Sequence, residues 1–356
     1  MLPSALAVLM REQPLLPLPA ADRVVVVLVD GLGHHLLPLA RQETPFLTAM
    51  TALLPDGIDV VFPTTTAASL TSFGTGLPPG LHGIVGASFW LPELDNLLYP
   101  LGWRDRPTPQ AVQPEPTLFE QARAADIAVT SVAAREFEQS GLTVSALRGG
   151  RYVGADSPGE LVVAVAAAAA VAPPALVYGY FSAVDKSGHI HGVGSEQWRL
   201  DLQHTDRTIE QLAQRLPSGT LLLVTGDHGM INCPDESRVN IDGLPFLAGV
   251  RRIAGEPRMR HIYLRPETTA AAVAERWADL LGERAVLLTR EAAISAGLFG
   301  EIAYGIEDRI GDVLALPTGE GALVSQRIDS IVSGLRGQHG GLTARERRVP
   351  LLGWVA

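Results

Sequence analysis

The sequence contains very little cysteine and lysine and no long apolar run, and each shortage excludes a class of protein or site. Cys233 is the only cysteine among 356 residues, so a disulfide within the chain and a thiolate metal site are both excluded. Lys186 is the only lysine, and the net charge of −10 argues against a groove for nucleic acid. The longest apolar run, Leu161–Val171, is too short to span a bilayer.

The amino-terminal segment also lacks a feature of secretory signals. Met1–Met10 is apolar but has no basic residue before its apolar stretch. Together with the single cysteine, this predicts a cytoplasmic protein. The hydrophobic content of 47% is ample for a large core, and the length suits one large domain or a domain with an inserted subdomain.

Three apolar runs have the pattern of strands that are buried on both faces. The runs are Val24–Val29, Ala175–Phe181 and Thr220–Thr225. Shortly after them come three carboxylates: Asp30, Asp185 and Asp227. Because ligands collect at the carboxyl ends of strands in open α/β sheets, we expect an α/β fold with these carboxylates at one sheet edge.

The pattern divides the chain into a catalytic α/β core, residues 1–239 and 334–356, and an inserted subdomain, residues 240–333. In the core, Ser195–Leu216 is predicted to be a helix with Ser195 as its N-cap. The proline-rich Leu91–Pro116 is interpreted as a long loop over the site. For the insertion we expect three strands and one helix: strands at Phe246–Ile253, Arg260–Leu264 and Asp312–Leu316, and a helix at Thr268–Leu281.

Several segments after these strands carry residues that bind metals. Asp185 and His189 are one helical turn apart, Asp227-His228 follows a strand, and His339 lies among glycines. Each feature alone is open to a structural explanation, but together at strand ends they predict a metal centre. Two metal ions about 4 Å apart can hold both the attacking and the leaving oxygen of an in-line displacement. The residue types therefore predict phosphoryl chemistry.

A cluster of hydroxyl groups between the first two carboxylates offers a nucleophile. The segment reads Phe62-Pro63-Thr64-Thr65-Thr66 and is followed by Ala67. Chemistry alone does not distinguish among the candidates: Thr64, Thr65, Thr66, Ser69 and Thr71. A helix that begins with a threonine cap explains the same cluster, and such a helix end also favours an anionic phosphoryl group.

Taken in order, these segments resemble the alkaline phosphatase superfamily, in particular its nucleotide pyrophosphatase/phosphodiesterase branch. The resemblance extends from Val24 to the C-terminus. It is carried by these segments: Val29-Asp30-Gly31, Phe62 to Thr66, Thr75-Gly76-Leu77 with His82-Gly83-Ile84-Val85, Asp185 with Gly188-His189, Thr225-Gly226-Asp227-His228-Gly229-Met230, and His339-Gly340. It implies a three-layer sandwich with a mixed, mostly parallel central sheet and a small inserted α+β subdomain.

The resemblance also implies a zinc-dependent phosphodiesterase or pyrophosphatase, with manganese as the other possible metal. The implied ligands are Asp30, Asp227, His228 and Thr66 for one ion, and Asp185, His189 and His339 for the second. Thr66 would be the nucleophile and would form a covalent phosphothreonine that water then releases. This choice of Thr66 rests on the family's Pro-Ser/Thr-x-Thr pattern.

Two positions depart from the relatives that cleave nucleotides. Where those proteins have an aromatic residue that stacks on the base, this chain has Ala67, and where they have an asparagine that bonds a phosphoryl oxygen, it has Ala87. Loss of one such donor costs about 3 kcal/mol of transition-state stabilisation unless another group replaces it. Ser88 and Lys186 are candidate replacements, and Lys186 is equally consistent with a solvated loop lysine.

These departures leave other functions open. The alternatives are a phosphonate hydrolase or phosphomonoesterase of the same superfamily, and a metal-binding protein that has lost catalysis. We expect a small phosphate-containing substrate as the binding partner, and neither a nucleic-acid polymer nor a membrane.

Overall fold

A computed structural model describes residues 1–104 and 106–356 of the chain. Its strands are β1 (Arg23–Val29), β2 (Thr51–Ala52), β3 (Ile58–Asp59), β4 (Phe89–Leu91), β5 (Asn96–Leu98), β6 (Ala128–Ala133), β7 (Arg151–Gly154), β8 (Ala175–Phe181), β9 (Thr220–Thr225), β10 (Ile231–Asn232), β11 (Arg238–Asn240), β12 (Val250–Glu256), β13 (Met259–Leu264), β14 (Ala285–Thr289), β15 (Val313–Pro317), β16 (Ala322–Val324), β17 (Gly337–Gln338), β18 (Arg348–Val349) and β19 (Leu351–Val355). Its α-helices are α1 (Leu2–Leu9), α2 (Pro45–Ala49), α3 (Thr66–Thr75), α4 (Pro79–His82), α5 (Pro109–Val112), α6 (Leu118–Ala124), α7 (Gly141–Leu147), α8 (Pro158–Ala169), α9 (Ala183–His191), α10 (Glu196–Ala213), α11 (Leu244–Leu247), α12 (Ala270–Leu281), α13 (Arg290–Ser295), α14 (Ser330–Ser333) and α15 (Ala344–Arg347).

The central sheet has seven strands in the order β2-β19-β9-β1-β8-β6-β7. The strands β9, β1, β8, β6 and β7 are parallel to one another, whereas β19 runs antiparallel to both β9 and β2. The predicted α/β class with a mixed, mostly parallel central sheet is therefore confirmed. Since the parallel strands share one direction, their carboxyl ends meet at one edge of the sheet.

The valine run of β1 explains why the sheet lies between two layers of helices. Val24 and Val26 belong to one apolar cluster with side chains of α1, α3 and α6, while Val25 and Val27 belong to a second cluster with side chains of α8 and α10. Alternate side chains of a strand point to opposite faces, so an unbroken apolar run must be covered on both. Each fully buried valine stabilises the fold by about 1.5–3 kcal/mol.

Residues 250–317 form a separate antiparallel sheet in the order β12-β13-β15-β14. Trp277 of α12 is fully buried in the apolar cluster of this sheet. The strand predicted at Phe246–Ile253 is wrong in its first half, because the short helix α11 begins at Leu244 with Pro245 in its first turn, and Gly249 turns the chain at a φ of +72° before β12. The sequence analysis also missed β14. The division into a core and an inserted subdomain stays a prediction.

The segment Leu91–Pro116 is not the continuous loop that its prolines suggested. It begins in a hairpin of β4 and β5 and later contains α5. Residue 105 of this predicted loop lies outside the described residues. Trp103 is buried, and its indole N–H donates to the carbonyl of Pro107. Proline therefore marks short structured turns here, because it suits the first position of a helix.

A buried ion pair joins the four-stranded sheet region to the last helix of the chain. The Arg258 guanidinium donates two hydrogen bonds, of 3.0 and 2.9 Å, to the Glu346 carboxylate, and both side chains are fully buried. Glu346 also accepts a hydrogen bond from the backbone N–H of Gly341, two residues after His339. The pair therefore fixes the loop that follows β17.

No helix in the described part of the chain is both long and apolar enough to traverse a lipid bilayer.

Candidate metal centre and nucleophile

The first group of ligand-type residues lies where β1 and β9 end and α3 begins. His228 Nε2 lies 3.4 Å from Asp30 Oδ1, 3.5 Å from Asp227 Oδ2 and 3.1 Å from the hydroxyl oxygen of Thr66. All four side chains are buried. These are the four residues that the sequence analysis assigned to one metal ion, and the fold brings them together from segments as far apart as residues 30 and 228.

The second group lies on α9 and directly after β17. Asp185 Oδ1 is 3.4 Å from His189 Nε2 and 3.9 Å from His339 Nε2, and the two histidine nitrogens are 3.1 Å apart. Asp185 and His189 are on one face of α9 because they are one turn apart. The structure thus brings together the three residues that were assigned to the second ion.

The two groups adjoin each other through their histidines. The rings of His228 and His339 stack with their centroids 3.7 Å apart and an interplanar angle of 18°. His228 can join either group, because its ligand nitrogen also lies within 4.8 Å of ligand atoms of Asp185 and His339. The sequence assigned His228 to the first group only. A pair of neighbouring cations would account for this shared position.

Backbone carbonyl groups define which ring nitrogen of each histidine faces the centre. The Nδ1 atoms of His189, His228 and His339 lie 2.8 to 3.0 Å from the carbonyl oxygens of Gly337, Gly229 and Thr64. A carbonyl only accepts, so each Nδ1 carries a proton, and in the neutral ring each Nε2 presents a lone pair. Two such lone pairs face each other 3.1 Å apart between His189 and His339. A shared cation would turn this repulsion into attraction.

The carboxylates of the centre, like its histidines, are arranged as ligands of cations. The oxygens Asp30 Oδ1, Asp185 Oδ1 and Asp227 Oδ2 are buried and have no hydrogen-bond partner within residues 1–104 and 106–356. Burial raises the pKa of Asp30 well above its usual range, and repulsion from Asp227 and Asp185 raises it further. Burial also raises the pKa of Asp227. Unpartnered buried carboxylates beside imidazole nitrogens that present lone pairs are a donor set that divalent metal ions bind.

Thr66 is the hydroxyl residue that the fold turns toward this centre. It is the first residue of α3, is 6% exposed, and donates its hydroxyl proton toward the lone pair of His228 Nε2. By contrast, Thr64 donates to the carbonyl of Gly341, Thr71 donates to the carbonyl of Ala67, and Thr65 faces Glu256. The backbone N–H groups at the start of α3 also favour an anionic group here.

Glycines allow the ligand loops to approach closely. Gly31 has a φ of +72°, and a Cβ atom there would meet the backbone of Asp185 at 3.0 Å. Gly340 has a φ of +115°, and a Cβ atom there would lie 2.6 Å from the Glu256 carboxyl carbon. Both positions follow a ligand directly, so any side chain would displace Asp30 or His339.

Two residues beside the centre were missed in the sequence. The Tyr180 hydroxyl donates a hydrogen bond to Asp30 Oδ2, which leaves Oδ1 facing His228. Glu256 Oε2 lies 3.6 Å from His339 Nδ1, and burial raises the pKa of this carboxyl group well above its usual range. Tyr180 lies in a recognisable strand just before Asp185, whereas Glu256 comes from the inserted region and no motif marks it.

Ser88 and Lys186, the two residues suggested as substrate contacts, belong to neither ligand group. Ser88 is buried, and its hydroxyl both donates to the carbonyl of Gly255 and accepts from the N–H of that residue. Lys186 is exposed and lines a surface hollow between α9 and α10 together with Ile190 and Leu200. A role in substrate binding stays a prediction for both residues.

A comparison with family models matches residues 24–341 to the model described as type I phosphodiesterase / nucleotide pyrophosphatase. A short stretch of 71 residues, 19% of the chain, is 37% identical to the catalytic subunit of human GPI ethanolamine phosphate transferase 3. The mouse protein of the same name is 40% identical over 71 residues. The matched stretch spans 6% of the length of each of these proteins.

Solved structures with a similar fold extend over nearly the whole chain. Murine ectonucleotide pyrophosphatase / phosphodiesterase 5, as an inactive variant in complex with AMP, matches with a TM-score of 0.74 and 17% sequence identity, over 93% of this chain and 87% of that chain. Human ectonucleotide pyrophosphatase / phosphodiesterase 5 also matches over 93% of this chain and 87% of that chain, with a TM-score of 0.71 and 18% sequence identity. At this level of identity the similarity establishes the fold alone.

Proposed function

The chain belongs to the type I phosphodiesterase/nucleotide pyrophosphatase family of the alkaline phosphatase superfamily, and from this premise we propose that it is a two-metal hydrolase with Thr66 as its nucleophile. Membership of the family supports phosphodiester hydrolysis as the reaction class. The observation that carries the finer proposal is the position of the Thr66 hydroxyl, 3.1 Å from His228 Nε2 at the start of α3.

Two zinc ions, or manganese ions in their place, fit the donor set of the centre. Asp30, Asp227, His228 and Thr66 would hold one ion, and Asp185, His189 and His339 would hold the second. When bound, such cations lower the pKa of a nearby alcohol or water and offset negative charge on phosphoryl oxygens. The proposal has support in the unpartnered carboxylate oxygens and in the opposed lone pairs of the histidines.

The residues of the chain would perform the remaining tasks. Thr66 Oγ1 would release its proton to water and form a bond to phosphorus, while the bond to the leaving oxygen breaks on the opposite side and that oxygen leaves as the alcohol or its anion. The first N–H groups of α3 would donate to the phosphoryl oxygens. Hydrolysis of the phosphothreonine by water would then restore the Thr66 hydroxyl. Tyr180 would hold Asp30 in position by its hydrogen bond to Oδ2.

A pair of chromogenic substrates tests this function. We expect kcat/KM for bis-p-nitrophenyl phosphate to exceed that for p-nitrophenyl phosphate by at least about 10-fold, because family membership favours a phosphorus that carries two ester groups. The measurement is steady-state turnover with zinc or manganese added. A preference for the monoester would contradict the diesterase proposal. Absence of turnover of both esters by the metal-loaded protein would favour a protein that only binds metal.

The cytoplasmic localisation stays a prediction. Fractionation of cells that produce the protein would test it, and recovery outside the cytoplasm would contradict it.

A further inference from the structure

A small cavity beside Thr66 is lined by tyrosines and is here called the tyrosine pocket. Its walls include the side chains of Thr66, Phe137, Leu142, Tyr152, Tyr178 and Tyr180. Since Tyr180 also donates to Asp30, the pocket is continuous with the first ligand group. A group bound in the pocket would therefore lie next to the phosphorus that Thr66 attacks.

The position of the pocket identifies which part of a substrate it receives. In an in-line displacement the leaving oxygen departs on the side of phosphorus opposite to the nucleophile. A cavity whose wall contains the nucleophilic residue itself lies beside the reaction axis. It therefore receives the ester group that stays bonded to phosphorus after the leaving group has gone.

The walls of the pocket favour an uncharged group. None of the residues known to line it carries an ionic side chain. The hydroxyls of Tyr152 and Tyr180 already donate to the carbonyl of Ala134 and to Asp30. The Tyr178 hydroxyl is buried and has no hydrogen-bond partner among the described residues. The wall also contains the hydroxyls of Ser140 and Thr143, and that of Ser140 donates to that of Thr143. The remaining surface is mostly aromatic and aliphatic, so a charged occupant would lose its hydration without compensation.

The size of the pocket limits its occupant to a small group of atoms. Its volume is about 80 Å³, whereas pockets that bury a drug-sized ligand measure about 300–1,000 Å³. Since a water-sized group needs about 10–15 Å³ of such space, there is room for roughly five to eight non-hydrogen atoms. Ala67, which follows the nucleophile, is fully buried in the core cluster and offers no aromatic face for a base.

We infer that the substrate carries a compact, uncharged ester group on phosphorus, between an ethyl group and a single aryl ring in size, and not a nucleoside. The inference rests on the proposed function, because it assumes that Thr66 attacks phosphorus. Phe137, Leu142 and Tyr152 then act as residues that determine specificity, since their side chains close the space that a larger ester group needs.

Two p-nitrophenyl diesters with the same leaving group test the inference. We expect kcat/KM for ethyl p-nitrophenyl phosphate to exceed that for thymidine 5′-(p-nitrophenyl phosphate) by at least about 10-fold. Phe137→Ala enlarges the pocket and is expected to reduce this ratio at least about 3-fold through faster turnover of the thymidine ester. Leu142→Ala, on a different wall, is expected to shift the ratio in the same direction.

A matched substitution outside the pocket serves as the control. Phe46 packs against Trp354 at the edge of the central sheet, and Phe46→Ala is expected to leave the ratio unchanged. A thymidine ester that is cleaved as fast as the ethyl ester, with no response to Phe137→Ala or Leu142→Ala, would overturn the inference and leave the hydrolase proposal standing. Absence of turnover of both esters would instead overturn the proposed function.

Discussion

Replacement of Thr66 with alanine is expected to lower kcat/KM for bis-p-nitrophenyl phosphate by at least about 10⁴-fold, the scale on which loss of a catalytic nucleophile acts. The Thr66 hydroxyl is the one placed 3.1 Å from His228 Nε2, and alanine leaves no oxygen to attack phosphorus. Thr66→Ser keeps an oxygen on Cβ and is expected to retain most of the activity. Steady-state kinetics of the metal-loaded variants provide the measurement.

Thr71→Ala is the matched control, because Thr71 is on the same helix and its hydroxyl donates only to the carbonyl of Ala67. Its activity is expected to stay within a few fold of the parent protein. Thr66→Ala also leaves the helix intact, since alanine has the highest helix propensity and Thr66 is not the cap residue. A Thr66→Ala variant that kept a tenth of the activity would exclude Thr66 as the nucleophile.

His189→Ala is expected to lower the same kcat/KM by at least about 100-fold and to reduce the bound metal from two equivalents to one. His189 Nε2 lies 3.4 Å from Asp185 Oδ1 and 3.1 Å from His339 Nε2, so its removal takes one of three donors from the second group. Elemental analysis after gel filtration, beside steady-state kinetics, measures both effects.

His191→Ala provides a close control, because His191 is two residues away on the same helix and is exposed. Its metal content and its activity are expected to match those of the parent protein. If the His189 and His191 variants behaved alike, then the second ligand group would not hold a cation.

The sequence predicts the fold well where the pattern of apolar residues is compatible with only one kind of element. An unbroken apolar run such as Val24–Val29 must be covered on both faces, and the structure places it in the middle of the central sheet. The run that begins at Phe246 was less informative, because a short apolar stretch suits a helix or a strand equally. The helical turn there begins at Leu244, and Gly249 separates it from the strand.

The order of the ligand motifs predicted which residues meet, but it did not distinguish among the hydroxyls. Thr64, Thr65 and Thr66 are chemically alike, and their partners differ because distant segments pack against them: Glu256 faces Thr65, His228 faces Thr66, and the loop of His339 and Gly341 faces Thr64. That loop lies about 275 residues further along the chain, so no local pattern contains the information.

Residues that support the centre were least accessible to prediction. Tyr180 occupies a position of a buried strand where any large apolar residue also fits, and only its contact with Asp30 distinguishes it. Glu256 ends a strand of the four-stranded sheet, and its approach to His339 depends on how that sheet packs on the core. Long-range packing of this kind leaves no periodic signal in the sequence.

Anomalous X-ray scattering from crystals of the zinc-loaded protein, recorded on both sides of the zinc absorption edge, tests most directly whether two cations share this centre. The account predicts two zinc peaks in each molecule, one among Asp30, Asp227, His228 and Thr66, and one among Asp185, His189 and His339. A single peak, or peaks distant from these residues in a protein that still hydrolyses diesters, would contradict it.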